Sequence, residues 1–473
     1  MRFPTRTRTR LRLLLLPALA LGTLLTPHVT GAATAPAAAS TTSSTALSTT
    51  LSAADPVPAL ARAAHPLTDL RPLERMVGGA SVVGVGEAAH GSGDFFRSKQ
   101  RIFEHLVERK GFTTFALEAN WSAGVRLNDY VLHGRGDVQR IMREEFQNSY
   151  ALWNNREYLD LLRWMRQHNE RHPHHPVRFM GNDMGYAGPE LFDAVTRYVA
   201  EHHPALLAEV RERYRPWRPT GSVDATMKRL LTLPMAERQR MRGDLARVAE
   251  LLGRRDPAPD RERERERERE QERHAWTLQH ARAIAQVGEM YTYNYFVPAQ
   301  AAKMMRYRDR IMAENTVWWQ RHTGQKVLLS AHNGHVGYET PDRSRYPRLQ
   351  GAFIRDMIGD RYANVGFTFG RGSFNALDTA DPAEPMREFS VAGPAPGGSE
   401  ETLERVADHD YYLDLRTAPA VAQRWLNRHR PVWSIGNSWP EQARPQRLAT
   451  GYDVLVHLRR VTASELLPGA AGR

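Results

Sequence analysis

From about residue 66 the chain alternates short apolar runs with longer segments whose apolar residues recur every three or four positions. "SVVGVG" at 81–86, "FTTFALEAN" at 112–120 and "PVRFMGND" at 176–183 read as short buried strands. Between the first two, "DFFRSKQRIFEHLVERKG" sets Phe96, Ile102, Phe103, Leu106 and Val107 on one side and stops at Gly111. That spacing predicts a helix starting near Ser92–Asp94 and closed by a glycine. Residues 186–320 read as a helical insertion, rich in Arg, Leu and Glu, with one low-complexity piece. The strand pattern resumes with "KVLLSAHNGHV" at 326–336, "ANVGFTF" at 363–369, "PVWSIGN" at 431–437 and "YDVLVHL" at 452–458. Near-continuous apolar strands alternating with helices predict an α/β fold, a mainly parallel sheet with helices on both faces. The large helical insertion at 186–320 divides that core into halves at 66–185 and 321–473.

Two stretches break the pattern. "RERERERERE" at 261–270 places opposite charges at i,i+3 but like charges at i,i+4, so its gain as a helix is partly cancelled. It reads as a solvated helix or disordered piece and suggests no function. The start of the chain joins a basic stretch, "MRFPTRTRTRLR", to an apolar run, "LLLLPALALGTLL", too short to span a bilayer comfortably. Small residues follow near Ala32 and Ala33. This is the pattern of a secretory signal over residues 1–33. Residues 34–65, rich in Ala, Ser and Thr, are expected to be a flexible leader. The expectation is a secreted or extracytoplasmic protein with no stable membrane insertion after cleavage.

Composition narrows the chemistry. The 473 residues contain no Cys, which removes disulfides, thiol nucleophiles and zinc–thiolate sites. The net charge of +12 belongs partly to the signal, and the rest is interleaved with Asp and Glu. No clustered basic face with aromatics suggests nucleic acid, so a small-molecule partner is expected.

The polar residues collect after the strands. Glu87 and His90 follow the first, and Glu118 with Asn120 ends the second. Asn182 and Asp183 end the third, and His332, Asn333 and His335 follow the strand at 326–331. Parallel strands would bring all four groups to one edge, where open α/β sheets bind ligands. "GVGEAA" also fits a dinucleotide turn, but Glu118 comes 32 residues after Gly86 rather than about 20, and "HGSG" delays the helix. The chain lacks G-x-S-x-G and H-E-x-x-H. Two routes to activated water remain: a His flanked by Glu acting as general base without a cofactor, or one divalent metal held by His332, His335, Glu87 and Asp183. The "HPHHP" run at 172–176 lies on the other side of its strand and reads as a surface loop.

The segments "VVGVGEAAHGSGDFFRSKQRIFEHLVERKGFTTFALEAN", "RFMGNDM", "RYRDRIMAEN" and "KVLLSAHNGHV" together resemble the erythromycin esterase family, with a looser likeness from about 66 to 460. The resemblance implies hydrolysis of a macrolide lactone by water, without a covalent acyl-enzyme. It implies His90 as general base, Glu87 and Glu118 as orienting or polarising groups, and His332 and His335 holding the water or the oxyanion. Where the family usually has Arg, nine residues after the base, this chain has Lys99, with Arg97 and Arg101 nearby. Arg308 and Asp309 match the family's R-D, as ion pair or catalytic groups. The other readings are a metal-dependent hydrolase of another ester, lactone or amide, and a non-catalytic protein that captures a small ligand.

Overall fold

The computed structural model describes residues 54–254 and 264–470. Twelve strands occur among them: β1 (His65–Pro66), β2 (Val82–Val85), β3 (Phe112–Asn120), β4 (Arg178–Asp183), β5 (Lys326–Ser330), β6 (Tyr362–Asp378), β7 (Met386–Val391), β8 (Tyr411–Asp414), β9 (Arg430–Val432), β10 (Ser438–Trp439), β11 (Arg444–Gln446) and β12 (Val454–Val461). The main sheet runs β1-β8-β12-β6-β2-β5-β3-β4, with β7 and β10 also paired to β6. The six strands from β12 to β4 are parallel to one another, so β2, β3, β4 and β5 end at the same edge.

Successive side chains of a strand point to opposite faces, and here both faces are covered. Val83, Val85, Phe115 and Leu328 share one core with Phe95, Phe103 and Leu106 of the helix Gly93–Lys110. Val82, Ala116, Val327 and Leu329 share the other with Met305, Ile311 and Val317 of the helix Pro298–Thr323. Burial on both sides explains why the strands are apolar throughout instead of alternating. The expected helix after β2 forms as read, with Ser92 before it and Gly111 closing it in the left-handed region (φ 68°).

Several boundaries differ from those expected. Val57–Ala63, assigned to the leader, is a helix with Leu60 fully buried, and it packs against the helix Ala420–Leu426. Ala-rich composition hid it, because Ala serves a helix as well as a flexible segment. "PVWSIGN" adds no long strand to the main sheet. Only β9 forms there, paired antiparallel to β11, because Pro431 has no N–H and the Trp433 N–H donates to the Glu400 carboxylate (2.9 Å). The chain between β4 and β5 is helical, from Pro189–His202 to Pro298–Thr323, and it covers the second face of the sheet in that shared core.

Within the charged repeat, residues 264–270 open the helix Glu264–Met290, and Glu270 accepts a hydrogen bond from the Tyr198 hydroxyl (2.8 Å). The signal at 1–33, the leader up to residue 53 and residues 261–263 lie outside the described residues. No helix among the described residues is long and apolar enough to cross a membrane.

Candidate active site

The turn after β2 is fixed by close approach. A Cβ on Gly86 would sit 2.1 Å from Asn333 Oδ1, and one on Gly91 would sit 1.9 Å from the Asn375 backbone oxygen. Both positions need glycine for contact with neighbours, and neither has a positive φ. Asn333 clamps β6, donating to Phe367 O (2.6 Å) and accepting from Phe367 N (3.0 Å). On the other side, the Ile435 N–H donates to Ala88 O (2.7 Å) and the His90 N–H to Ile435 O (3.3 Å).

This turn buries Glu87 completely. His90 Nδ1 donates to Glu87 Oε1 (2.7 Å), which leaves the lone pair of a neutral ring on Nε2. The other carboxylate oxygen takes a hydrogen bond from Lys99 Nζ. Lys99 is itself buried and also donates to Ser330 Oγ (3.0 Å) and Ala331 O (3.2 Å). Its three protons thus have three acceptors, a fit that a planar guanidinium would not reproduce. Burial pushes the Glu87 carboxyl up, but Lys99 and His90 outweigh it and hold it below the usual range.

A second cluster lies beside the first. The Arg308 guanidinium donates to Asp183 through Nε (3.1 Å) and Nη2 (2.6 Å), and through Nη2 to Glu118 Oε1 (2.7 Å). His335 Nδ1 donates to Asp309 Oδ1 (2.7 Å), and its Nε2 lies 3.2 Å from Glu118 Oε1. Burial alone would lower the His335 pKa, but Glu118 and Asp309 raise it well above the ordinary histidine value. Arg308 Nη1 also lies 3.2 Å from His335 Nε2, so that nitrogen sits between a guanidinium and the Glu118 carboxylate. Against the cost of burial, His335 and Arg308 hold Glu118 well below the usual carboxylate range. The His332 N–H also donates to Glu118 Oε2 (3.1 Å).

His332 joins the two clusters. Its ring centroid is 4.8 Å from that of His90. Burial, aided by His90, pushes its pKa down to about 3, so it is neutral. Nδ1 accepts the Gly334 N–H (3.0 Å), which puts the ring proton on Nε2. That Nε2 is buried with no hydrogen-bond partner among the described residues. The cleft over these groups encloses about 100 Å³, and its mouth is bordered by residues 340–346 and 434–444.

The structure brings together Glu87, His90, Lys99, Glu118, Asp183, Arg308, His332 and His335. It leaves out Arg97, which pairs with Asp94 (2.9 Å) and Glu157 (2.7 Å) on the partly exposed side of its helix. Asn182 donates to Thr316 Oγ1 (3.1 Å), a packing role. The reading from sequence missed Tyr150 and Trp153, from the short 3-10 helix Asn148–Trp153. Trp153 packs edge-on against His90 at 5.0 Å and donates to Glu118 O (2.9 Å), while the Tyr150 hydroxyl donates to Asp183 (2.9 Å). A turn too short for periodicity gave no signal for either.

The metal ligand set considered from the sequence does not converge. Glu87 is held by Lys99 and His90, Asp183 by Arg308, and His335 by Asp309 and Glu118. Among the described residues, no three His, Asp or Glu side chains are grouped to share one ion.

The family model for erythromycin esterase matches residues 107–461. An erythromycin esterase type II of Escherichia coli is 23% identical over 383 residues, 76% of this chain and 87% of that protein. A crystal structure of a protein from Bacillus cereus is 27% identical, with a TM-score of 0.75 over 87% of this chain and 98% of its own. The open conformation of a mutant erythromycin esterase, EreC, is 16% identical and shares the fold, with a TM-score of 0.64 over 86% and 97% of the two chains. Fold and relatives define the class, an ester hydrolase built on a mainly parallel α/β sheet. Within that class the chain belongs to the erythromycin esterase family.

Proposed function

We propose that the protein opens the lactone ester of a macrolide with a water activated by His90, without a metal. The observation that carries this reading is the pair of facing imidazoles with opposite polarity. His90 offers a lone pair on Nε2, and His332 offers an unpartnered Nε2–H. His90 takes a proton from water as its oxygen attacks the acyl carbon, and Glu87 stabilises the imidazolium that forms. The carbonyl oxygen becomes an oxyanion and accepts from His332, where a preorganised donor counts most. The C–O bond of the ester then breaks, and His90 returns its proton to the leaving alkoxide. The product is a hydroxy acid, with no covalent acyl-enzyme.

Glu118, Arg308, Asp183 and His335 act one layer back, holding the loop of His332 in place. The engagement of Glu87, Asp183 and His335 by neighbouring side chains favours metal-free chemistry. At about 100 Å³ the cleft suits the ester and its neighbours, while the rest of a macrolide, a ligand of the size that usually needs about 300–1,000 Å³, would lie in the mouth. The basic and apolar residues at 1–33 support export, and the partner is a small molecule and not a nucleic acid.

The test incubates the chain from residue 34 with a 14-membered macrolide and follows the mass of the product. A gain of one water is expected, unaffected by chelator, with His90→Ala slower by about 10²–10⁴-fold at an unchanged melting temperature. His90→Ala within a few-fold of wild type would overturn the mechanism. Activity lost to chelator and restored by one divalent ion would overturn the metal-free step.

A further inference from the structure

Away from the catalytic residues, a cavity of about 400 Å³ opens beside the edge strand β4, against the helices Trp121–His133, Glu264–Met290 and Pro298–Thr323. That is within the range of small-ligand sites. Its apolar wall is made of indoles, with Trp276 5.2 Å from Trp319 and 6.4 Å from Trp121 between ring centroids. Their N–H groups are all engaged by the protein. Trp121 donates to His280 Nδ1 (3.0 Å), Trp319 to Thr114 Oγ1 (3.0 Å) and Trp276 to Glu272 Oε1 (2.7 Å).

Several of the remaining polar groups on this wall have a donor to spare. Asn128 Oδ1 accepts the Phe179 N–H (3.1 Å), which leaves the amide nitrogen over. Thr114 takes the Trp319 proton and gives its own to Gln325 Oε1 (2.6 Å), so Gln325 too has only its amide nitrogen left. His280 accepts on Nδ1, and burial lowers its pKa to about 4, so the neutral ring carries its proton on Nε2. Arg178 Nε is buried with no hydrogen-bond partner among the described residues, and its guanidinium forms no ion pair there. Glu272, the one carboxylate on the lining, accepts from Trp276 and lies 3.1 Å from His322 Nε2. A buried guanidinium N–H without an acceptor is costly, and Arg178 Nε calls for an acceptor that comes from outside, with the partly buried amide nitrogens of Asn128 and Gln325 beside it.

We propose that this cavity is a second ligand site, for a planar aromatic carboxylate, with the ring against Trp121, Trp276 and Trp319 and the carboxylate on Arg178. Guanidinium and carboxylate match in a two-pronged geometry, and the amide nitrogens of Asn128 and Gln325 supply further donors. The site is separate from the ester-cleaving groups and stands whether or not a macrolide is the substrate.

Calorimetric titration of the full chain with 2-naphthoate tests it, with the uncharged 2-naphthamide as control. Saturable binding of the carboxylate is expected, with the amide at least about tenfold weaker. Arg178→Gln should weaken binding by roughly ten- to a hundredfold while melting close to wild type, because the guanidinium makes no hydrogen bond or ion pair among the described residues and feels only the more distant Glu272. Gln325→Leu, a second variant should the first not fold, should weaken it about tenfold or less. No saturable heat up to about 10 mM naphthoate would overturn the proposal. So would equal affinity for the amide, or binding lost in His90→Ala and kept in Arg178→Gln.

Discussion

Lys99 is the residue on which the charge balance of the first cluster turns. Glu87 is completely buried, and among the described residues Lys99 is its only full positive charge within hydrogen-bonding distance when His90 is neutral. Lys99→Met leaves a buried carboxylate uncompensated, a change that typically costs about 3–5 kcal/mol. The melting temperature should fall by at least about 5 °C, and Glu87→Gln in the same chain should restore much of it. A Lys99→Met protein as stable as wild type would refute this account. His332 makes a second prediction, about pH. Its folded pKa of about 3 lies below the ordinary 6.5, so between those values the unfolded chain binds more protons than the folded one. Its contribution therefore weakens as pH falls from 6.5 towards 3. The stability of wild type relative to His332→Gln should grow as pH rises from about 4 to 6.5, measured by urea melts. A difference independent of pH would mean that His332 is charged in the folded protein.

At the scale of elements, the site depends on how tightly neighbouring segments approach. Gly91→Ala sets a Cβ 1.9 Å from a backbone oxygen of β6, an obstacle that cannot rotate away. It should cost about 1–3 kcal/mol or more, and it should lower activity by moving His90, whose N–H is tied to Ile435 one residue earlier. A fully active and stable Gly91→Ala would show that the turn is looser than described. The helix Val57–Ala63 is testable in the same way. Leu60 is fully buried among residues such as Leu403 and Leu413, so Leu60→Ala should destabilise by about 2–5 kcal/mol in urea unfolding. No change would mean that the helix is not docked in solution.

For the molecule as a whole, one sheet carries both cores, and the helices between β4 and β5 share the second with Val82, Ala116, Val327 and Leu329. The described residues should therefore unfold in one calorimetric transition, and two separated peaks would show the helices to be a unit of their own. The parallel strands β2 to β6 and β12, the covered faces, and the recurrence of Glu87, His90, Glu118, Asp183, His332 and His335 at strand ends were legible in the sequence, whereas β1, β7 and β8 were not read. Local periodicity and position within a parallel sheet are short-range properties that a linear pattern carries. The extent of the leader and the strand at 431–437 were misjudged, because docking of Leu60 and pairing of the Trp433 N–H depend on segments far away in the chain. The sequence by itself determined an α/β fold with its polar residues at one edge. Only the tertiary structure decided that Glu118 serves Arg308 and His335 and not His90, that Arg97 stands outside, and that His332 is neutral. Those outcomes depend on burial and on contacts such as Glu118 with Arg308 and His335, which join distant parts of the chain, and no spacing along the sequence records either.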